Sequence, residues 1–239
     1  MLTRELDAVY ADALRALALD PVAMPVTRCV PPADPAALPA ALARGDHAAI
    51  VVASARAADA VIAARGDLPL PEVWAVGPAT ARTLAAAGIA AHVPPVAKDS
   101  ATLAHALITA RSLAGRRVLV PRAEDGRDEA IDALRAAGAE VEAVVAYRTV
   151  AVAAGDPAIA RGLELLARGE AAVCAVFAPS QAAALDAVIP LATLATRFVA
   201  IGETTARSLR DRGIVCVAAD QPTPEGLARA VRAVYSVPT

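Results

Sequence analysis

Apolar residues along this chain fall into short continuous runs, separated by stretches in which they recur every three or four positions. HAAIVVAS (47–54) has the make-up of a strand buried on both faces of a parallel sheet, and VWAVG (73–77), RRVLVPR (116–122), VEAVVAYRTV (141–150) and AAVCAVF (171–177) read as further strands. Between them the spacing predicts helices. One runs from about Glu5 to Ala18 with Leu6, Val9, Tyr10, Ala13, Leu14 and Leu17 on one side; a short one ends at Arg44-Gly45. Others span Ala55 to Ala64, Pro78 to the stop at Gly88, and Ser100 to Leu113. Weaker strands are expected at residues 1–4, at Val22 to Val30 and at Ile89 to Val93, and the proline-rich Pro31 to Leu38 reads as a connector. Alternating strands and helices imply parallel sheets with right-handed crossovers.

The pattern occurs twice. AVGPATARTLAAAGI (75–89) returns as AIGETTARSLRDRGI (200–214), with eight of fifteen positions identical. ADALRAL (11–17) matches IDALRAA (131–137), and LARGDHAAIVVAS matches LARGEAAVCAVFAPS. VEAVVAYRTV stands where PVAMPVTRCV (21–30) stood, which sets Tyr147-Arg148 opposite Thr27-Arg28. The chain is thus two divergent copies of one α/β unit, about 1–114 and 115–239.

Composition adds exclusions. With 57% hydrophobic and 20% charged residues the chain is globular rather than disordered. Its best apolar stretch, Ala48 to Ala64, is broken by Arg56 and Asp59, so no membrane helix is expected. MLTRELDAVY has acids where a signal peptide has its apolar core, and a cytoplasmic location is expected. A net charge of −2 argues against general affinity for nucleic acid or an anionic membrane. Cys29, Cys174 and Cys216 lie in apolar segments and are expected as buried free thiols; with scattered His47, His92 and His105 they form no metal pattern, so no metal is expected. Lys98 is the only lysine, so nearly every cation is an arginine, whose fork suits carboxylates.

In a parallel α/β sheet, ligands bind beyond the carboxyl ends of the strands. Four strand-to-helix turns stand out there: Ser54-Ala55-Arg56, Gly77-Pro78-Ala79-Thr80, Pro179-Ser180-Gln181 and Gly202-Glu203-Thr204-Thr205. Each offers unpaired backbone N–H groups, a helix dipole and a small hydroxyl, a combination that suits an anion. The plainer alternative is that these hydroxyls only cap their helices. No turn carries a dinucleotide or phosphate-loop glycine pattern, and no nucleophile triad or acid pair is apparent. Tyr147, one of three tyrosines, ends an apolar strand before Arg148; it either packs and hydrogen-bonds or donates a proton to a leaving group.

Taken in order, Thr3-Arg4, ASAR (53–56), VAYRT (145–149), FAPSQA (177–182), IGETTA (201–206) and PTPEGL (222–227) resemble the uroporphyrinogen-III synthase family. Ala53 stands where that family usually has threonine, Ala178 where it usually has serine, and the first strand, Met1-Leu2-Thr3, is shorter than is usual. The resemblance implies a uroporphyrinogen-III synthase fold, two similar α/β domains of three layers joined by two strands. Residues 1–28 with 151–239 would form domain 1 and 32–146 domain 2, with linkers at 29–31 and 147–150. It also implies closure of the linear tetrapyrrole hydroxymethylbilane with inversion of the last ring, a loss of water that needs no cofactor.

On that resemblance Tyr147 is the catalytic candidate, protonating the departing hydroxyl. Arg4, Ser54, Ala55, Arg56, Gly77, Thr80, Arg122, Arg148, Pro179, Ser180, Gln181, Gly202, Thr204 and Thr205 are the substrate-binding candidates. The expected partner is the small-molecule tetrapyrrole, with no nucleic acid and no membrane. A monomer is expected, with at most a transient contact with hydroxymethylbilane synthase. A non-catalytic two-domain hinge protein that binds a tetrapyrrole or another small polycarboxylate stands beside it as the alternative.

Overall fold

The computed structural model describes residues 1–5 and 7–235; Leu6, expected on the apolar side of the first helix, lies outside them. In chain order the strands are β1 (Thr27–Val30), β2 (Ala49–Val52), β3 (Glu72–Ala75), β4 (Arg117–Ala123), β5 (Glu140–Ala151), β6 (Val173–Val176), β7 (Arg197–Ala200) and β8 (Cys216–Ala218). The α-helices are α1 (Ala8–Arg15), α2 (Ala37–Arg44), α3 (Ala55–Arg65), α4 (Pro78–Ala86), α5 (Ser100–Ala110), α6 (Glu129–Ala136), α7 (Pro157–Ala167), α8 (Pro179–Asp186), α9 (Glu203–Arg210) and α10 (Pro224–Val234). The chain divides into two compact units, Met1–Arg28 with Val150–Thr239, and Cys29–Thr149.

In the unit Cys29–Thr149 the sheet order is β5-β4-β2-β3, with β1 outside β5 and the ladders β5-β4, β4-β2 and β2-β3 parallel. Both faces are buried, which explains the unbroken apolar runs. Ile50, Val52, Val73, Ala75 and Leu119 pack under α2, α3 and α4 through Leu42, Val61 and Leu84. Their neighbours Ala49, Val51, Trp74, Val118 and Val120 pack on the other face against Leu103 and Leu107 of α5 and Ile131 and Leu134 of α6. Glycine with positive φ turns the chain after α4, at Gly88 (φ 73°), and at the matching Gly213 (φ 75°) after α9.

The other unit repeats this order. Leu2 bridges in parallel to Ala23 on one side and Ala175 of β6 on the other, and β6-β7-β8 continue the sheet. Leu2 is fully buried, as is Thr3. Cys174, Val176, Phe198 and Ala200 face α7, α8 and α9, while Val173, Ala175 and Val199 face Leu14 of α1 and Leu227 and Val231 of α10.

Several expected elements are shorter than their patterns. The strand expected over Val22 to Val30 is a bridge at Ala23 and then β1, because Pro25 between them has no N–H for a ladder. The strand expected over Ile89 to Val93 is a single bridge, Trp74 to His92, before Pro94 and Pro95 end pairing. Cys29, expected buried, is exposed, because β1 lies at the sheet edge; Cys174 is buried and Cys216 half-buried, and all three thiols are free. Burial pushes the Cys174 thiol up to about 11, so it is inert. No helix among the described residues is long and apolar enough to cross a membrane.

Around the amino ends of β2 and β4, His47 lies buried and its Nε2 is 2.9 Å from Glu142 Oε2. Arg44 and Arg117 also bond Glu142, and Arg117 bonds Asp46. Burial alone would push the Glu142 carboxyl up, yet the hydrogen bonds from Arg44 and His47 outweigh it and hold the carboxyl below its ordinary range.

Candidate functional site

Beyond the carboxyl ends of β2, β3, β6 and β7 the chain turns directly into α3, α4, α8 and α9. Their N-cap residues are Ser54, Gly77, Ala178 and Gly202. Only Ser54 caps: its Oγ accepts from the Ala57 N–H at 3.1 Å. The first turns of α4, α8 and α9 receive no side-chain cap. Elsewhere caps are supplied by Asp7 to α1, Asp99 to α5, Asp156 to α7 and Thr223 to α10, while α2 and α6 have no side-chain cap. A capping role therefore accounts for Ser54 and not for Thr80, Ser180, Thr204 or Thr205, which sit inside the first turn rather than at its cap. Each uncapped turn keeps N–H groups without an intrahelical acceptor and the positive end of a helix dipole.

At the third position of α4, α8 and α9 stands a buried polar residue, Thr80, Gln181 and Thr205, at 4%, 9% and 4% exposure, where the uncapped α2 and α6 have Pro39 and Ile131. These three, with Thr3 beside Gln181, make up four of the six buried polar residues described, the others being His47 and Thr196. Neither the Thr80 nor the Thr205 hydroxyl has a hydrogen-bond partner among the described residues. Thr196 Oγ1 is the one fully buried side-chain polar atom there without a partner, so the Thr80 and Thr205 hydroxyls open to the surface. Ser180 and Thr204, one position earlier, are exposed, as are Pro179 and Arg56, while Ala55 is half-buried. A Cβ added at Gly77 or Gly202 would meet nothing within 4 Å, and both backbones are extended. Neither strain nor internal packing calls for glycine at these caps.

Tyr147 lies on β5 where the β4–β5 register shifts, between Arg122 and Ala123, so that Tyr147 pairs with Ala123 and its carbonyl accepts from the Glu124 N–H at 3.0 Å. Its ring packs against the core under α2, α3 and α4. Its hydroxyl lies 3.3 Å from Ser54 Oγ. Ser54 Oγ accepts from Ala57 and keeps its own proton, so either hydroxyl of the Ser54–Tyr147 pair can be the donor, and when Ser54 donates the phenol O–H is free.

The arginines separate into free and engaged. Arg122 is consumed by its own loop, bonding the Ala123 and Gly126 carbonyls and Asp128. The Arg4 guanidinium lies 5.4 Å from the Tyr10 ring centroid and 5.2 Å from that of Phe177, and pairs with Asp7 at 3.6 Å. Burial raises the Tyr10 phenol while Arg4 opposes it. Arg148 Nε donates to the Pro31 carbonyl at 3.2 Å. Arg56 has no hydrogen-bond or ion-pair partner among the described residues. In the unit Cys29–Thr149 the structure thus gathers Ser54 and Tyr147, with Gly77 to Thr80 on the adjacent turn; in the other unit Gln181 and Thr205 open adjacent helices. Thr3, singled out in the sequence only as half of the Thr3-Arg4 pair, is the residue that pattern reasoning missed, since a buried threonine in a short strand carries no chemical signature. Among the described residues no three His, Cys, Asp or Glu side chains are grouped to hold a metal.

The family model described as HEM4, uroporphyrinogen-III synthase HemD, matches residues 8–229. No curated protein matches the chain. Among solved structures, the fold is similar to a uroporphyrinogen-III synthetase from Helicobacter pylori, with a TM-score of 0.64, 17% identity, and 89% of this chain and 92% of that one covered. It is similar also to a mutant uroporphyrinogen III synthase from Thermus thermophilus (TM-score 0.61, 20% identity, 95% and 94% covered) and to the wild-type enzyme of that organism in another crystal form (TM-score 0.51, 22% identity, 98% and 96% covered). These likenesses establish the fold, and the match over residues 8–229 establishes that this chain belongs to the uroporphyrinogen-III synthase family.

Proposed function

We propose that the protein closes hydroxymethylbilane to uroporphyrinogen III with loss of water, and that its turns hold the substrate while Tyr147 supplies the proton. Family membership carries the activity. The single structural observation that carries the site is that α4, α8 and α9 open beyond strand ends with no side-chain cap and with a buried polar residue in the first turn, which the likewise uncapped α2 and α6 lack. Hydroxymethylbilane bears acetate and propionate carboxylates on every ring, and such niches suit carboxylates.

In this reading the Tyr147 phenol protonates the terminal hydroxyl, which departs as water and leaves a pyrrole-stabilised cation. The Ser54 hydroxyl donates to the phenol oxygen as that proton leaves, supported by the α3 N-terminus. The substituted carbon of the last ring then attacks to give a spiro intermediate, which reopens and closes the other way with loss of the ring proton. The pyrroles supply the chemical drive, and the protein holds the chain in the conformation that excludes direct closure. Ser54, Arg56, Gly77, Thr80, Ser180, Gln181, Gly202, Thr204 and Thr205 are assigned to carboxylates. Arg4, Arg122 and Arg148, held by partners of their own, shape the turns instead.

Incubating the purified protein with freshly generated hydroxymethylbilane, oxidising the products and separating the isomers tests the activity. Type III product is expected; only the spontaneous type I isomer would refute it. A monomer is the form this reading expects, and sedimentation equilibrium checks it.

A further inference from the structure

Gln181 is 9% exposed and stands in the first turn of α8, which has no side-chain cap. Its Oε1 accepts from the Phe177 N–H at 3.0 Å and lies 2.6 Å from the Thr3 hydroxyl. A backbone N–H can only donate, so this contact fixes which end of the amide is oxygen. The Nε2 group consequently faces away from Phe177, and its two N–H groups have no acceptor among the described residues. It is not sealed in, because Thr196 Oγ1 is the one fully buried unpartnered side-chain atom there. A nine-tenths buried amide is thus clamped by its oxygen and presents its donors at the mouth of an uncapped helix.

The clamp is itself buried and hydrogen-bonded to the sheet. Thr3 is fully buried and follows Leu2, which bridges Ala23 and Ala175; its N–H donates to the Ala175 carbonyl at 3.1 Å, and its hydroxyl lies 3.1 Å from that same carbonyl. The position matching Gln181 in the other copy is Ala57, whose N–H is taken by Ser54. The two copies therefore solve the same turn in opposite ways: one caps its own helix, the other adds donors. Pro179 at the first position of α8 has no N–H to give, and the amide supplies what the backbone lacks there.

We propose that Gln181 is a specificity-determining residue that gives its side-chain N–H groups to one carboxylate of the tetrapyrrole, and that Thr3 is the positioning residue that holds it for that contact. This rests on the proposed activity of the same site and adds to it which end of the Gln181 amide makes the contact, its weight in substrate selection, and Thr3 as its support. Gln181→Glu is the decisive variant, since a carboxylate in the same place still accepts from Phe177 and Thr3 but meets the substrate anion with an anion. It is expected to raise KM for hydroxymethylbilane by about 10- to 100-fold, the range of a charge-assisted hydrogen bond, without lowering Tm and with kcat little changed. Thr3→Val is expected to raise KM less, and Thr3→Ser to keep the wild-type value.

Equilibrium binding of uroporphyrin III, followed by its own fluorescence, gives a second readout that needs no turnover and should weaken in the same order. Wild-type KM and wild-type uroporphyrin III affinity in Gln181→Glu would overturn the proposal, as would equal weakening by Thr3→Ser and Thr3→Val. If the wild-type protein made only the type I isomer, the activity reading would fail, and the binding comparison would still decide the role of Gln181.

Discussion

Ser54 is placed to do two things, and a double-mutant cycle with Tyr147 separates them. Its Oγ accepts the Ala57 N–H at 3.1 Å and lies 3.3 Å from the Tyr147 hydroxyl. Ser54→Ala removes the cap of α3, worth about 1 kcal/mol of stability, and strips the phenol of its neighbour. A neutral hydrogen bond at the long end of the normal range contributes about 0.5–1 kcal/mol, which is a fall in kcat of roughly 2- to 5-fold. Tyr147→Phe keeps the ring and its packing and removes the proton donor, for which a loss of about 10- to 100-fold in kcat is expected. Because Ser54 acts on the chemical step through the phenol, whatever it adds to carboxylate binding appearing in KM, the double variant should have a kcat no lower than that of Tyr147→Phe alone. Its stability should nevertheless fall by the full cost of the cap. Initial rates of type III formation and urea unfolding of the four proteins measure both quantities. Losses in kcat that multiply in the double variant would refute the coupling, and wild-type kcat in Tyr147→Phe would remove the phenol from the mechanism.

Thr205→Val deletes at nearly constant volume a hydroxyl that has no partner within the described residues, so it should raise KM while leaving Tm unchanged or higher, and Thr205→Ser should stay near wild type; a lowered Tm in Thr205→Val would show the hydroxyl to be structural. Gly162→Ala gains about 1 kcal/mol of helix propensity in α7, but the new Cβ would lie 2.6 Å from Met24 Cγ and Sδ and 2.8 Å from Met24 Cβ, and Met24 is fully buried. Overpacking of that kind costs about 1–3 kcal/mol, so thermal unfolding should show a net loss that Met24→Ala relieves in the double variant; a stabilised Gly162→Ala would contradict the packing. Glu142 has its carboxyl held below the ordinary range in the folded protein, so its stabilising contribution is present above about pH 4.3, the unfolded carboxyl's value, and is lost as pH falls through the lower folded value. Glu142→Gln should therefore be less stable than wild type at pH 7 and converge with it in acid, as urea titrations at several pH values would reveal; a difference independent of pH would rule out the ionised carboxylate as the cause.

Much of the site's location is legible in the chain because it follows from local chemistry. The recurrence of Gly-x-x-Thr-Ala after an apolar run marks strand-to-helix turns whatever surrounds them, and the turns at Gly77 and Gly202 are where that pattern puts them. What each residue does at those turns is less legible. Arg122 and Ser54 look alike as polar residues at strand ends, yet Arg122 is consumed by carbonyls four residues away or fewer and by Asp128, while Ser54 has one contact to its own helix and one to a tyrosine far along the chain. Cys29 reads as one more residue of an apolar run, and only the order of strands reveals that its run is an edge.

The sequence by itself determined the doubled α/β architecture, the parallel sheets and the positions of the turns, since hydrophobic period, proline, glycine and the internal repeat act over a few residues and survive without knowledge of contacts. Only the tertiary structure decided which helix ends are capped and which are left open, that Tyr147 meets Ser54 at a register shift, and that Thr3 clamps the amide of Gln181 from 178 residues away in sequence. Those features depend on which strands are neighbours, and a hydrogen bond between distant residues has no periodicity from which it can be read.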